Sequence, residues 1–172
     1  MTTSEQKRLV GIAEWAVSQD AGQTLSTYAL GSCLGVAMFD PLGRIGGLLH
    51  VMLPDSKLDP VRAVGKPAMF VDTAIPAFLK ELAGHQADLR RLVVCVAGGA
   101  ELMDAGSAFN IGQRNFEVLQ AELQNQGLPI AAAQTGGRVN RSMFLRLATG
   151  SVRLKISGQR EEIILCANST ST

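Results

Sequence analysis

Short apolar runs separated by turn residues recur along most of the chain, and this pattern predicts β-strands. Glycine, proline and small polar residues mark the breaks between the runs. The predicted strands cover residues 9–18, 24–30, 33–40, 44–53, 91–97, 128–135, 142–147, 151–157 and 161–167. The letters LATGSV between the seventh and eighth runs indicate a hairpin turn.

Two segments instead repeat their apolar residues at the period of an amphipathic helix. The first covers residues 71–85, with Asp72 as the candidate N-cap. The second covers residues 110–127, where Asn110 is the candidate N-cap. Because the strands are many and do not alternate one for one with helices, we predict an α+β fold with the two helices on one face.

The composition is typical of one compact domain. A chain of 172 residues can bury a sizeable core, and 47% hydrophobic against 18% charged residues argues against disorder. The net charge of +1 and the lack of a lysine or arginine run argue against a nucleic-acid partner or direct membrane insertion. No secretory signal opens the sequence. We predict a single cytoplasmic domain over residues 1–172, with its core at about 8–167.

Three cysteines are present, and their spacing favours neither a disulfide framework nor a metal site. We therefore predict free thiols in a reducing compartment. Cys95 and Cys166 lie in apolar strand-like runs, which predicts small core residues. Cys33 differs, because a glycine and a serine precede it at a break between two strands.

The segment with Cys33 also contains a histidine, and the two residues flank a predicted hairpin. The letters DPLG at its tip match a type I turn. A two-residue loop would place Cys33 directly opposite His50, with Cβ atoms about 5 Å apart. A three-residue loop would place Leu34 opposite His50 and turn the imidazole to the other face, unless a bulge at Gly46-Gly47 restored the pairing. Spacing alone leaves open a nucleophile with its base, or a core cysteine and a hydrogen-bonded histidine.

The residues just before the cysteine suit an oxyanion site. Gly31 allows a sharp bend, and backbone amides near Ser32 and Cys33 would be released from sheet pairing there. The alternative interpretation is an ordinary connecting turn. A nucleotide site at VAGGAELMDAG is disfavoured, because the segment matches neither glycine-rich phosphate-binding pattern.

Several blocks of sequence together resemble the CheD family, the chemoreceptor glutamine deamidases of bacterial and archaeal chemotaxis. The blocks are TYALGSC, GGLLHVMLP, VDTAI, AGGAELM, NIGQRN and TGGRVNRS, and the resemblance runs in order from about residue 9 to residue 157. It implies a layered α/β/β sandwich, similar in its active site to the cytotoxic necrotizing factor toxins. It implies no cofactor.

The same resemblance implies three catalytic residues. Cys33 is the expected nucleophile, His50 the base that leaves a thiolate–imidazolium pair, and Thr27 the residue that orients the imidazole through its hydroxyl or its carbonyl. The implied reaction hydrolyses a glutamine side-chain amide to glutamate through a thioester and releases ammonia. Tyr28 and Ala29 depart from the family pattern, in which smaller or more flexible residues are usual.

The resemblance also implies the partners. Chemoreceptors are the expected substrates, and the phosphatase CheC, which docks on CheD in several species, is a further expected partner. The alternative function is a non-catalytic adaptor that binds CheC or chemoreceptors. The presence of Thr27, Cys33 and His50 counts against that alternative.

Overall fold

The computed structural model describes residues 4–102 and 110–167. Its strands are β1 Gln6–Leu9, β2 Glu14–Ser18, β3 Gln23–Leu30, β4 Leu34–Asp40, β5 Ile45–Val51, β6 Val93–Gly98, β7 Ile130–Thr135, β8 Arg141–Arg146, β9 Ser151–Ile156 and β10 Ile163–Cys166. Its α-helices are α1 Pro60–Gly65, α2 Val71–Gly84 and α3 Ile111–Asn125. Within the described residues, no helix is long and apolar enough to cross a bilayer.

The strands form two stacked five-stranded sheets. The outer sheet has the order β1-β3-β8-β9-β10, and the middle sheet has the order β2-β5-β4-β6-β7. Phe78 of α2 and Leu119 of α3 belong to the core on one face of the middle sheet. Leu25, Leu48 and Leu145 fill the space between the two sheets. The resulting α/β/β sandwich confirms the predicted fold class, with the two main helices on one face.

The middle position of one sheet explains its unbroken apolar strands. Every residue of β4 and β5 is buried, because helices cover one face of this sheet and the outer sheet covers the other. A sheet with one solvated face would instead alternate apolar and polar residues. Any side chain on β4 or β5 therefore points either into the core under the helices or into the core between the two sheets.

The predicted strand over residues 9–18 is wrong, because two strands occupy this region. β1 pairs in parallel with β3 of the outer sheet, whereas β2 pairs with β5 of the middle sheet. Between them Ala13 adopts a left-handed φ of 56°, which breaks an extended strand. The chain thus crosses from one layer to the other within a run that looks continuous in sequence.

Two predicted helix caps also differ from the structure. Phe70, not Asp72, is the N-cap of α2. Asp72 lies in the first turn, and its carboxylate accepts hydrogen bonds from the amide and hydroxyl of Ser56 at 2.9 and 2.6 Å. Asn110 is at the N-cap of α3 as predicted, although its side chain makes no capping hydrogen bond. Asp72 therefore anchors the segment before α1 onto α2.

The hairpin between β4 and β5 has neither of the predicted loop lengths. Asp40 pairs with Ile45, so the loop contains four residues, and β5 pairs with β4 without a bulge at Gly46-Gly47. His50 consequently lies opposite Gly35 rather than opposite Cys33 or Leu34. In the two-residue case His50 would face Cys33, so the observed partner of His50 on β4 is shifted by two residues. An even shift keeps every side chain on the same face of the sheet.

Asp40 explains the longer loop. Its buried carboxylate accepts the amides of Leu42 and Gly43, both at 3.1 Å, and so shapes the turn from inside. It also accepts two hydrogen bonds from Arg91 at 2.9 and 2.7 Å and one from the amide of Asp88 at 2.8 Å. The hydrogen bonds from Arg91 hold the pKa of Asp40 well below its usual range.

We expect Asp40→Asn to lower the free energy of unfolding by about 3 kcal/mol, because an amide nitrogen would then face the donors of Arg91 and Asp88. The stabilisation by Asp40 is present above its unfolded pKa and is lost as the pH falls below about 4, so the variant should also lose this acid dependence. Thermal and urea unfolding at several pH values measure both effects. Asp59→Asn is the matched control, since asparagine caps α1 as well as aspartate does and a change beyond about 0.5 kcal/mol is not expected. Equal stability of the two variants would contradict the role of Asp40.

The prediction of free thiols at Cys95 and Cys166 is wrong. The two residues form a disulfide, with Cα atoms 6.9 Å apart and a sequence separation of 71. Cys95 is a buried core residue of β6 in the middle sheet, and Cys166 ends β10 at the edge of the outer sheet. Only the stacking of the sheets brings them together, which sequence spacing cannot reveal. Cys33 is the free cysteine.

Candidate active site

Two polar side chains meet between the stacked sheets. His50 on β5 and Thr27 on β3 are both fully buried. The hydroxyl oxygen of Thr27 lies 2.7 Å from Nδ1 of His50. The same hydroxyl donates to the main-chain oxygen of Val10 at 2.8 Å. Of the two routes open from sequence, the contact thus uses the side chain of Thr27 and not its carbonyl.

This pair of contacts determines the tautomer of the histidine. A hydroxyl has one proton to donate, and the carbonyl of Val10 can only accept. The hydroxyl of Thr27 therefore donates its hydrogen bond to Val10. The oxygen of Thr27 must then accept a hydrogen bond from Nδ1–H of His50. The proton of the neutral ring is therefore on Nδ1, and Nε2 carries the free lone pair.

Nε2 of His50 is available as a base. It is buried and makes no hydrogen bond to any group in residues 4–102 and 110–167. Burial lowers the pKa of His50 from 6.5 to about 4, because the charged ring is poorly solvated between the sheets. A buried ring nitrogen without a hydrogen-bond partner lowers the stability of the fold, so its presence indicates a role other than stability. At neutral pH this arrangement holds an uncharged base.

Cys33 lies on the same side of the middle sheet as His50. The last pair of the β4–β5 ladder is Leu34 with Val51, so Cys33 stands one step beyond it, diagonal to His50. Its side chain packs against the core between the two sheets and is partly buried. Gly35 faces His50 directly without a side chain. Diagonal neighbours on one face lie roughly 7–8 Å apart, which matches the absence of a hydrogen bond between the thiol and Nε2 in the described structure.

The thiol is also uncharged at rest. Burial raises the pKa of Cys33, and a hydrogen bond from its own backbone amide lowers it by less. Both this shift and that of His50 disfavour a resting thiolate–imidazolium pair. The directions of both shifts favour a neutral thiol and a neutral imidazole in this arrangement, whereas the sequence predicts an ion pair.

Two glycines leave the amide of Cys33 without a sheet partner. The β4–β6 ladder ends at the pair Leu34 and Gly98. The amide of Gly99 donates to the carbonyl of Cys33 at 2.9 Å. Within the described residues, the backbone amide of Cys33 donates no hydrogen bond to Gly99 or to another backbone carbonyl. Gly98 and Gly99 have φ values of 114° and 63°, which turn the chain away at this point. A Cβ at Gly98 would overlap the carbonyl oxygen of Cys33.

The backbone groups of Gly31 and of Cys33, both in the predicted oxyanion loop, differ in their hydrogen bonding. The amide of Gly31 is occupied by the carbonyl of Ala29 at 3.0 Å, and the carbonyl of Gly31 accepts the amide of Ala100 at 2.9 Å. Gly31 thus holds the loop in place and is not a free donor. The amide of Cys33, beside its own sulfur, is the donor that can stabilise an oxyanion. Ser32 presents its carbonyl to the protein interior, where Asn115 binds it at 2.9 Å.

Sequence reasoning missed three groups that complete the site. Val10 contributes a main-chain oxygen, which every residue has, so the sequence could not mark this position. Gly98 and Asn115 lie in the blocks AGGAELM and NIGQRN, so the resemblance marked both regions without giving either residue a role. All three groups act through backbone contacts between segments far apart in the chain.

Comparisons with known proteins identify the family of this chain. The family model described as CheD chemotactic sensory transduction matches residues 52–156, a span that begins just after His50. A protein of Solibacter usitatus named "Probable chemoreceptor glutamine deamidase CheD" is 41% identical over 156 residues, which cover 91% of this chain and 92% of that protein. A Thermococcus kodakarensis protein of the same name is 40% identical over 148 residues, or 85% of this chain and 90% of that protein. Because the family model matches more than half of the chain and these relatives span most of it, the chain belongs to the CheD family.

Proposed function

We propose that this protein is a cysteine-dependent deamidase that hydrolyses glutamine side chains of chemoreceptors to glutamate. The observation that carries the proposal is the buried Nε2 of His50, which has no hydrogen-bond partner in residues 4–102 and 110–167. Thr27 holds the ring in its basic tautomer, on the same sheet face as the Cys33 thiol. The names of the relatives supply the substrate class. The cytoplasm is the compartment in which we place this activity.

The reaction starts from the neutral pair. The Cys33 side chain turns toward His50, and Nε2 takes the thiol proton as sulfur attacks the amide carbon. The C–N bond breaks after His50 gives that proton to the departing nitrogen, which leaves as ammonia and leaves a thioester on Cys33. Water then loses a proton to Nε2 and attacks the thioester, and the sulfur takes back a proton as glutamate is released. The Cys33 amide stabilises the oxyanion in both halves.

A neutral resting pair suits this substrate. An amide nitrogen is a poor leaving group until it is protonated, and a buried imidazolium of low pKa gives up its proton readily. The charge on the pair then exists only while the substrate is in the site. Thr27 limits the ring to the one tautomer that can serve both steps.

The decisive experiment is mass spectrometry of a chemoreceptor cytoplasmic fragment from the same host after incubation with the protein in heavy-oxygen water. We expect defined glutamines to become glutamates that each carry one heavy oxygen, with ammonia released in equal amount. A fragment with the same glutamines replaced by asparagines is the matched substrate control. Unchanged glutamines in the folded fragment would contradict the proposed function.

Thr27→Val should lower kcat of deamidation by about 100-fold. Valine has the shape of the threonine side chain but cannot accept the hydrogen bond from Nδ1–H of His50. Thr27→Ser is the matched control and should retain most activity, since the hydroxyl that bridges Val10 and His50 remains. Steady-state ammonia release measures both variants. Equal activity of Thr27→Val and Thr27→Ser would contradict the role of the hydroxyl.

The pH profile of kcat/KM should remain level from about pH 5 to pH 7. With the pKa of His50 lowered to about 4, the base is already deprotonated across this range. The acid limb of the profile should therefore lie well below the ordinary histidine value of 6.5. Circular dichroism at each pH separates this limb from unfolding. A limb centred near the ordinary value would show that the ring is protonated at rest and would contradict the neutral-pair mechanism.

A further inference from the structure

Helix α3 carries one asparagine on a face that is otherwise apolar. Asn115 is fully buried between Gly112 and Leu119, on the stripe that packs against the middle sheet. Its Oδ1 is buried and accepts no hydrogen bond from the described residues. A buried amide with an unused acceptor is costly, and a leucine would suit this stripe better. The asparagine therefore needs a reason beyond packing.

The reason lies in the two carbonyls that Asn115 binds. Its side-chain nitrogen donates to the main-chain oxygens of Ser32 and Met52, both at 2.9 Å. Ser32 directly precedes Cys33, and Met52 follows His50 by two residues. Both carbonyls lie beyond the last residue pair of the β4–β5 ladder, where the two strands are no longer paired. One amide group thus ties the segment that carries the thiol to the segment that carries the imidazole.

The bond to Ser32 also orients a donor. Because a trans peptide is planar, the carbonyl of Ser32 and the amide N–H of Cys33 point in opposite directions. Holding the carbonyl toward α3 keeps the N–H of Cys33 on the side of its own sulfur, where it is hydrogen-bonded. Among the described residues, this N–H has no sheet partner beyond the turn at Gly98.

We propose that Asn115 is a positioning residue for deamidation, which holds the Cys33 amide in its oxyanion-binding orientation and keeps Cys33 in register with His50. The inference rests on the proposed function. The contacts of Asn115 are to main-chain atoms of Ser32 and Met52, so it acts on the site through these two segments. The close packing of Gly112 against the carbonyls of Gly99 and Ala100 keeps α3 near enough for this contact.

The test compares Asn115→Leu with Leu119→Ala, which weakens the same helix face without touching the loop. Two readouts are taken below both melting temperatures: deamidation kinetics on the receptor fragment, and the pH profile of Cys33 alkylation by iodoacetamide. We expect Asn115→Leu to lower kcat by about 10- to 100-fold with KM within about twofold, and to move alkylation to higher pH. Leu119→Ala should lower the melting temperature but leave the alkylation profile in place.

A second variant covers the case in which Asn115→Leu does not fold. Asn115→Ser keeps one donor and should lose less kcat than the leucine variant while shifting alkylation in the same direction. An alkylation profile in either Asn115 variant that superposes on the wild type would overturn the proposal. So would a loss of kcat in Leu119→Ala as large as in the Asn115 variants. Alkylation needs no glutamine substrate, so a shifted profile in a protein that deamidates nothing would support the positioning role and reject only the proposed function.

Discussion

Cys33→Ala is expected to lower the rate of glutamine deamidation by at least about 10⁴-fold. The variant retains the tautomer of His50 and the free amide but has no atom to form the thioester. Discontinuous ammonia release with a receptor fragment in excess measures the loss. The fold should survive, because Cys33 is only partly buried and lies at the end of the β4 ladder.

Cys166→Ser is the matched cysteine control for this measurement. It removes the disulfide to Cys95 and should lower thermal stability, since that bond closes a loop with a sequence separation of 71. Below its melting temperature it should nevertheless deamidate at close to the wild-type rate. The adaptor alternative predicts the opposite pattern: no activity in the wild type, and unchanged chemoreceptor or CheC binding in Cys33→Ala. Residual activity of Cys33→Ala within about tenfold of the wild type would reject the cysteine as nucleophile.

His50→Gln is expected to lower kcat by about 10³- to 10⁴-fold, because the variant lacks the buried Nε2 that we propose takes the thiol proton. Glutamine can still donate to Thr27 and fills part of the space of the ring. The loss should not be recovered by raising the pH to ordinary thiol values, since the site also needs an acid for the departing ammonia. Ammonia release between neutral and alkaline pH measures this.

Stability against pH provides an independent check on the same variant. The folded-state pKa of His50 is lowered to about 4 from 6.5, so the unfolded chain binds more protons in that interval. Wild-type stability should therefore fall as the pH drops from 6.5 toward 4, and His50→Gln should lack this part of the fall. Denaturant unfolding across the interval tests it. A variant that keeps the full acid dependence would show that the histidine is not buried in its neutral form.

Local patterns in the sequence predicted the α+β class and most of the elements, whereas the layered α/β/β arrangement came from the family resemblance. The helical spacing of apolar residues predicted α2 and α3 to within a few residues, and the apolar runs predicted most strands. These signals depend on neighbours along the chain, which explains their success. Spacing pointed to Cys33 and His50, and the family resemblance added Thr27. The structure brings Thr27 and His50 into contact.

The failures have a common origin in distant contacts. The carboxylate of Asp40, which shapes the four-residue loop between β4 and β5, is held by Arg91, which lies 51 residues further along the chain. The disulfide of Cys95 arises from the stacking of the two sheets. Neither interaction has a local signature, because each depends on two segments that meet only after the layers pack.

The chemistry of the site divides in the same way. The kinds of reactive group, a thiol, an imidazole and a hydroxyl, can be read directly from the residues. Their protonation cannot, since it depends on the burial of His50 and on a bond from Thr27 to the carbonyl of Val10. The same holds for the free amide of Cys33, which exists because Gly98 ends a ladder between strands remote in sequence. Residue identity thus specifies which groups can react, and packing between the layers specifies their charge, tautomer and orientation.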